Sequence, residues 1–180
     1  MKIDEIFSTA DRVSILRATI YRRGALGVSG VAEETGLSKG LVSKYLRIMA
    51  RNGILKRHGS KFAVSNSVAA RAARLMLNLS MLDERLFTGF GFVKGAGIYG
   101  SFAKGSNDEA SDIDMWVMIE RASGEELARL TARLRNSIGD VKPLYLTKDK
   151  LRLLKRNDEL FYHSLVFGSI TIFGDDIETV

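Results

Sequence analysis

The sequence predicts an α+β protein built as two modules with a helix between them. Apolar residues recur at helical spacing through most of residues 1–66 and end in a pair of short strand-like runs. From residue 89 onward, brief apolar runs bounded by glycine alternate with amphipathic stretches. The charge also divides: residues 1–88 hold 15 Lys/Arg against 7 Asp/Glu, whereas residues 89–180 hold 12 against 14. The basic character belongs to the first module, and a basic excess confined to one module favours a polyanionic partner.

Composition narrows the chemistry. At 180 residues and 46% hydrophobic, the chain can bury one sizeable core or two small ones. It has no cysteine, which excludes disulfides, thiolate zinc sites and cysteine nucleophiles and suits a reducing cytoplasmic setting. Two histidines, His58 and His163, are too few for a zinc site of the usual kind. No apolar run reaches 18 residues, and MKIDEIFSTADR carries acids where a signal peptide needs an apolar stretch. A soluble, unexported protein with no membrane partner is expected.

In the first module, Ser8 or Asp11 can cap a helix to about Tyr21 that turns Val13, Ile15, Leu16 and Ile20 inward. A short helix over Val31–Thr35 ends at Gly36, and Ser38 caps the next, which buries Val42, Leu46 and Met49 and stops at Gly53. ILKRHGSKFAVS then reads as two strands around His58-Gly59-Ser60. With the apolar face inward, Ser38, Lys39, Ser43, Lys44 and Arg47 remain outside, and Arg57, His58 and Lys61 lie at the hairpin tip. All are donors to phosphates or base edges. Over about residues 5–66, and through Ala32, Gly36, Leu37, Ser38, Val42, Ser43 and Leu46, the chain resembles the winged helix-turn-helix family. The resemblance implies that the helix from Ser38 enters the major groove of double-stranded DNA with the hairpin as wing; winged helices also serve as protein-binding modules.

Between the modules (residues 67–88), Val68, Ala72, Leu75, Leu79, Leu82 and Leu86 recur at heptad spacing, a seam suited to a homodimer. Leu77 and Met81 widen it toward packing within one chain.

The second module (residues 89–180) holds the chemical signal. GFGFVKGAGIYGS gives a strand over about 96–99 and a Gly100-Ser101 turn; a polar stretch follows, and then DIDMWVMI. Asp112 and Asp114 are two apart in an extended strand, so they share a face at roughly 6–7 Å spacing and repel unless a cation lies between them. Ser123 and Glu126 form a capping box for a helix to Ile138, Val141–Leu146 reads as a strand, Thr147 caps another helix, and GSITIFG reads as a last strand.

Turn, spacing, aspartate pair and flanking strands over about residues 90–175 resemble the nucleotidyltransferase superfamily that includes DNA polymerase beta, most of all its minimal members. The resemblance implies a small mixed sheet with helices on one side. It also implies transfer of a nucleoside monophosphate from a nucleoside triphosphate to a hydroxyl acceptor, assisted by Mg²⁺. Asp112 and Asp114 would then hold the metal, Gly100 and Ser101 would cradle phosphates, and Lys104 would add a phosphate contact. The family's third carboxylate belongs on the neighbouring strand. Counting back from Thr147 puts Pro143 there, flanked by Lys142; Asp140 reaches the site only if a bulge re-aims it.

His163, among Phe161, Leu165 and Phe167, reads as a packing residue, Trp116 as core, and Asp175 and Asp176 as solvated ends. Three roles stay open: an active nucleotidyltransferase guided or regulated through DNA; a transcriptional regulator whose degenerate domain senses a nucleotide; and an antitoxin-like modifier of a partner toxin, which the resemblance permits.

Overall fold

Helix caps set the element boundaries in the first half of the computed structural model, which describes residues 1–177. Helix α1 (Ile3–Ile6) is a single turn. Helix α2 (Ala10–Ile20) is capped by Thr9, whose hydroxyl accepts from the Arg12 amide at 3.3 Å. The cap therefore lies between the two residues expected from sequence, because Thr9 has the extended backbone that capping needs. Helix α3 runs Val28–Thr35, three residues longer at its start than expected, and Gly36 ends it. Helix α4 (Lys39–Arg51) is capped by Ser38, which accepts from the Leu41 amide. Strands β1 (Leu55–His58) and β2 (Lys61–Val64) form an antiparallel hairpin.

These elements, helix α5 (Val68–Leu79) as far as Leu77, and the segment Gly105–Ala110 make one compact unit. Its core joins Ile15, Leu16 and Ile20 of α2 to Val31 of α3, to Val42, Tyr45, Leu46 and Met49 of α4, and to Phe62 of β2. Helix α5 contributes Ala70, Ala73 and Leu77. The heptad seam expected over residues 68–86 is thus corrected in two ways. The helix stops at Leu79, and Asp83 accepts from the Arg85 amide at 2.8 Å to start a separate 3₁₀ turn over Glu84–Phe87. The buried stripe is also rotated, since small alanines admit closer packing, and Val68 is 72% exposed.

The segment Gly105–Ala110 is fastened to this unit by charge. Buried Arg74 donates to the Gly105 carbonyl at 2.7 Å and to the Ile20 carbonyl at 3.0 Å. Arg23 makes a two-pronged pair with Asp108 at 2.6 and 2.9 Å, and the Glu109 amide donates to the Tyr21 carbonyl.

The second unit comprises Asn78–Lys104 and the chain from Ser111 onward. Its sheet has the order β5-β4-β3-β6, with β3 over Val93–Ile98, β4 over Ile113–Ile119, β5 over Val141–Leu146 and β6 over Ile170–Gly174. Strands β4 and β5 are parallel and the other pairs antiparallel, which makes the sheet mixed. Ile113, Met115, Val117 and Ile119 pack with Leu130, Leu134 and Ile138 of α7 (Gly124–Ile138), whose Ser123/Glu126 capping box is complete. Trp116 and Met118 point the other way and pack with Leu151 of α8 (Lys148–Asn157) and Leu165 of α9 (Glu159–Gly168). Helices therefore cover both faces of β4 rather than one. The near-continuous apolar run IDMWVMI is the physical reason, because a strand covered on both sides needs no alternation.

Candidate functional site

Strand alternation brings Asp112 and Asp114 to one face of β4, the face that carries Trp116 further along. Pairing of Ile98 with Met115, and the Tyr99 amide donating to the Asp114 carbonyl at 3.0 Å, bring the end of β3 beside the start of β4. There the one-turn helix α6 (Gly100–Ala103) begins, with Gly100 at φ 66°. The Asp114 carboxylate lies against this glycine so closely that an added Cβ would collide with Oδ2. Gly100 is needed twice, for its left-handed backbone and for the absence of a side chain. Ser101 follows, partly buried, and Lys104 ends the turn exposed to solvent. The turn is pinned from below by Asn78, whose amide donates to the Phe102 carbonyl at 2.8 Å.

The two carboxylates differ electrostatically. Burial pushes the Asp114 carboxyl above its ordinary range, and the neighbouring charge of Asp112 adds to the rise while Lys142 opposes it. Asp112 is held below its ordinary range chiefly by a hydrogen bond from Lys142, whose ammonium forms an ion pair with Asp112 Oδ2. Lys142 is raised correspondingly, first by Asp112 and then by the charges of Asp140 and Asp114.

Lys142 stands directly opposite Asp114 in the parallel ladder, and Pro143 stands opposite Met115. This corrects the count from the Thr147 cap, which put Pro143 in register with the aspartates. The Ile113–Val141 pairing sets the register, and a slip of one residue reverses the face. Asp140 is exposed, and its backbone carbonyl accepts from the Ile113 amide at 2.8 Å. Among the described residues no three His, Cys, Asp or Glu side chains gather as a metal cluster. Two hard carboxylates fit a single Mg²⁺ whose remaining oxygen ligands come from phosphates; they do not fit a dedicated protein cage.

In the first unit, Lys39, Lys44 and Arg47 are exposed along α4. Ser43, Lys44 and Arg47 line a shallow cavity of about 480 Å³ together with Arg51, a residue that sequence reading passed over. Ser38 is occupied as a cap. Arg57 donates to the Gly59 carbonyl within the hairpin, beside exposed His58 and Lys61. No carboxylate pairs with Lys39, Lys44, Arg47 or Lys61 among the described residues. In the second unit, His163 stacks on Phe167 at 5.5 Å and approaches Glu159 at 3.5 Å, while its buried Nδ1 has no hydrogen-bond partner among the described residues. Trp116 is fully buried, and Asp175 and Asp176 are exposed. Among the described residues no helix is long and apolar enough to cross a membrane.

Comparison with curated proteins gives no match. The family model described as polymerase beta, nucleotidyltransferase matches residues 85–178, just over half of the chain, and takes in the β3-α6-β4 unit with Gly100, Ser101, Asp112 and Asp114. With the glycine turn set against the aspartate strand in the folded domain, the chain belongs to the polymerase beta nucleotidyltransferase family.

Proposed function

We propose that this chain is a DNA-binding regulator whose nucleotidyltransferase-family domain binds a nucleoside triphosphate with one Mg²⁺. The close approach of the Asp114 carboxylate to Gly100 carries the reading. A glycine turn that admits phosphate is built against the pair of hard oxygen ligands that a phosphate-bound cation needs. Asp112 and Asp114 would hold the metal, the Gly100-Ser101 turn would receive phosphate oxygens, and Lys104 would add positive charge. The metal supplies neutralisation of the triphosphate. Sensing is favoured over transfer because an ammonium, Lys142, stands opposite Asp114 where a carboxylate could have accepted the proton of an attacking hydroxyl.

The first unit supports duplex binding as a winged helix: α3 and α4 meet through Gly36, the β1-β2 hairpin follows, and Lys39, Lys44 and Arg47 face solvent. A second reading, nucleotidyl transfer to a hydroxyl acceptor, is favoured by the intact Gly100-Ser101 turn and aspartate pair.

One experiment separates the two. The full chain is incubated with nucleoside triphosphates labelled at the α-phosphate, Mg²⁺ and lysate, and the label is followed through denaturation. Label retained by the native chain and released on denaturation supports sensing. Label fixed covalently to an acceptor supports transfer, and no retained label overturns both.

A further inference from the structure

Two carboxylates on one strand face call for a cation, and the chain already holds one there. We infer that the Lys142 ammonium is the resident cation of the aspartate pair, so that a divalent ion reaches Asp112 only by displacing it, and does so together with a nucleotide. The inference deepens the nucleotide reading above and rests on it.

Three observations bear on this. The parallel ladder sets Lys142 opposite Asp114, and its ammonium reaches across to Asp112. One lysine therefore addresses both members of the pair. The side chain is also 66% exposed, and Asp112 is 30% exposed. Such a pair is screened by water and a flexible lysine can swing away, so it is a displaceable cation rather than a fixed strut.

Charge then couples metal to nucleotide. With Lys142 in place the group of Asp112, Asp114 and Lys142 carries a net single negative charge, and a bare divalent ion gains little by entering. A triphosphate brings additional oxygens for the metal, and its negative charge gives the displaced ammonium a new partner. Each ligand thereby improves the site for the other, and linkage requires the effect to be mutual.

The test measures Mn²⁺ binding to the full chain by the loss of the free-ion paramagnetic resonance signal without nucleotide, and, with a non-hydrolysable nucleoside triphosphate, by equilibrium dialysis as the excess Mn²⁺ on the protein side of the membrane. The inference expects weak binding to the parent without nucleotide. Lys142→Met and Lys142→Gln should bind Mn²⁺ at least about tenfold more tightly, and Lys142→Arg should behave as the parent does. Nucleotide should narrow the gap. The two neutral variants differ in shape, so a folding defect in one does not decide the outcome. Equal Mn²⁺ affinity of parent and both neutral variants without nucleotide overturns the inference while leaving the nucleotide site standing. Absence of Mn²⁺ binding in every protein even with nucleotide overturns the metal reading and the inference with it.

Discussion

The carboxylate of Asp114 rests against the Cα of Gly100, at the point where β3 ends and the short α6 turn begins. Sequence separates these residues by a polar stretch, and antiparallel pairing of β3 with β4 brings them together. Gly100→Ala puts a methyl group into the carboxylate and forces a side-chain-bearing residue into φ 66°. The backbone cost alone is about 1–2 kcal/mol. Nucleoside triphosphate affinity should fall at least about tenfold, measured by equilibrium dialysis, while circular dichroism of the variant stays that of the parent.

The Asp114 carboxylate is held at the expense of stability. Its carboxyl titrates above the ordinary value because burial and Asp112 disfavour the charge. A raised carboxyl makes no difference below the unfolded value, and its destabilising effect grows as pH rises through the folded value. Asp114→Asn should therefore raise the melting temperature of the ligand-free protein at neutral pH. Discounted for screening of a partly exposed group, the rise is roughly 1–3 °C, and it should vanish in acid below the ordinary carboxylate range. Asp112 has the opposite sign: its lowered carboxyl contributes stability above the unfolded value that is lost as pH falls through the folded one. Asp112→Asn should give no such gain at neutral pH. Melting curves of both variants across pH check the contrast.

On α4, Lys39, Lys44 and Arg47 project into solvent. Replacing all three with Gln should weaken duplex DNA binding and flatten its salt dependence by roughly 0.9 of a log–log unit for each phosphate that is no longer neutralised. Fluorescence anisotropy across a salt series reads both effects. An unchanged slope would remove these residues from the interface.

Arg74 is the buried charge of the first unit, and its guanidinium serves the carbonyls of Ile20 and Gly105. Burial lowers its basicity. Arg74→Met leaves those carbonyls unsatisfied and should cost roughly 2–4 kcal/mol, seen in a urea melt. It should also speed hydrogen exchange in Gly105–Ala110, because the anchor of that segment is gone. Gly105→Ala should act in the same direction, since Gly105 has φ 62° and its Cα faces the Arg71 carbonyl.

Local signals make much of the fold legible in the sequence. Ser38, Thr147 and the Ser123/Glu126 box each announce a helix start through a hydrogen bond three residues away, and all three hold. Strand β4 and its aspartates are equally local. Signals that depend on distant partners are not legible. The rotated stripe of α5 follows from the closeness that Ala70 and Ala73 allow, which heptad counting does not register. Gly105–Ala110 joins the first unit because Arg74 and Arg23 hold it, although chain order sets it between the glycine turn and the aspartates. In the sequence Lys142 is visible only as a neighbour of Pro143; its place opposite Asp114 depends on the register between two strands that are not adjacent in the chain.

Calorimetric titration of the full chain with nucleoside triphosphates, with and without Mg²⁺, tests the central claim most directly when repeated on Asp112→Asn/Asp114→Asn. The expected result is saturable binding by the parent that requires Mg²⁺ and is abolished in the double variant, with the fold of the variant intact. Binding of equal strength in parent and double variant, or no binding by the parent at millimolar nucleotide and Mg²⁺, would contradict it.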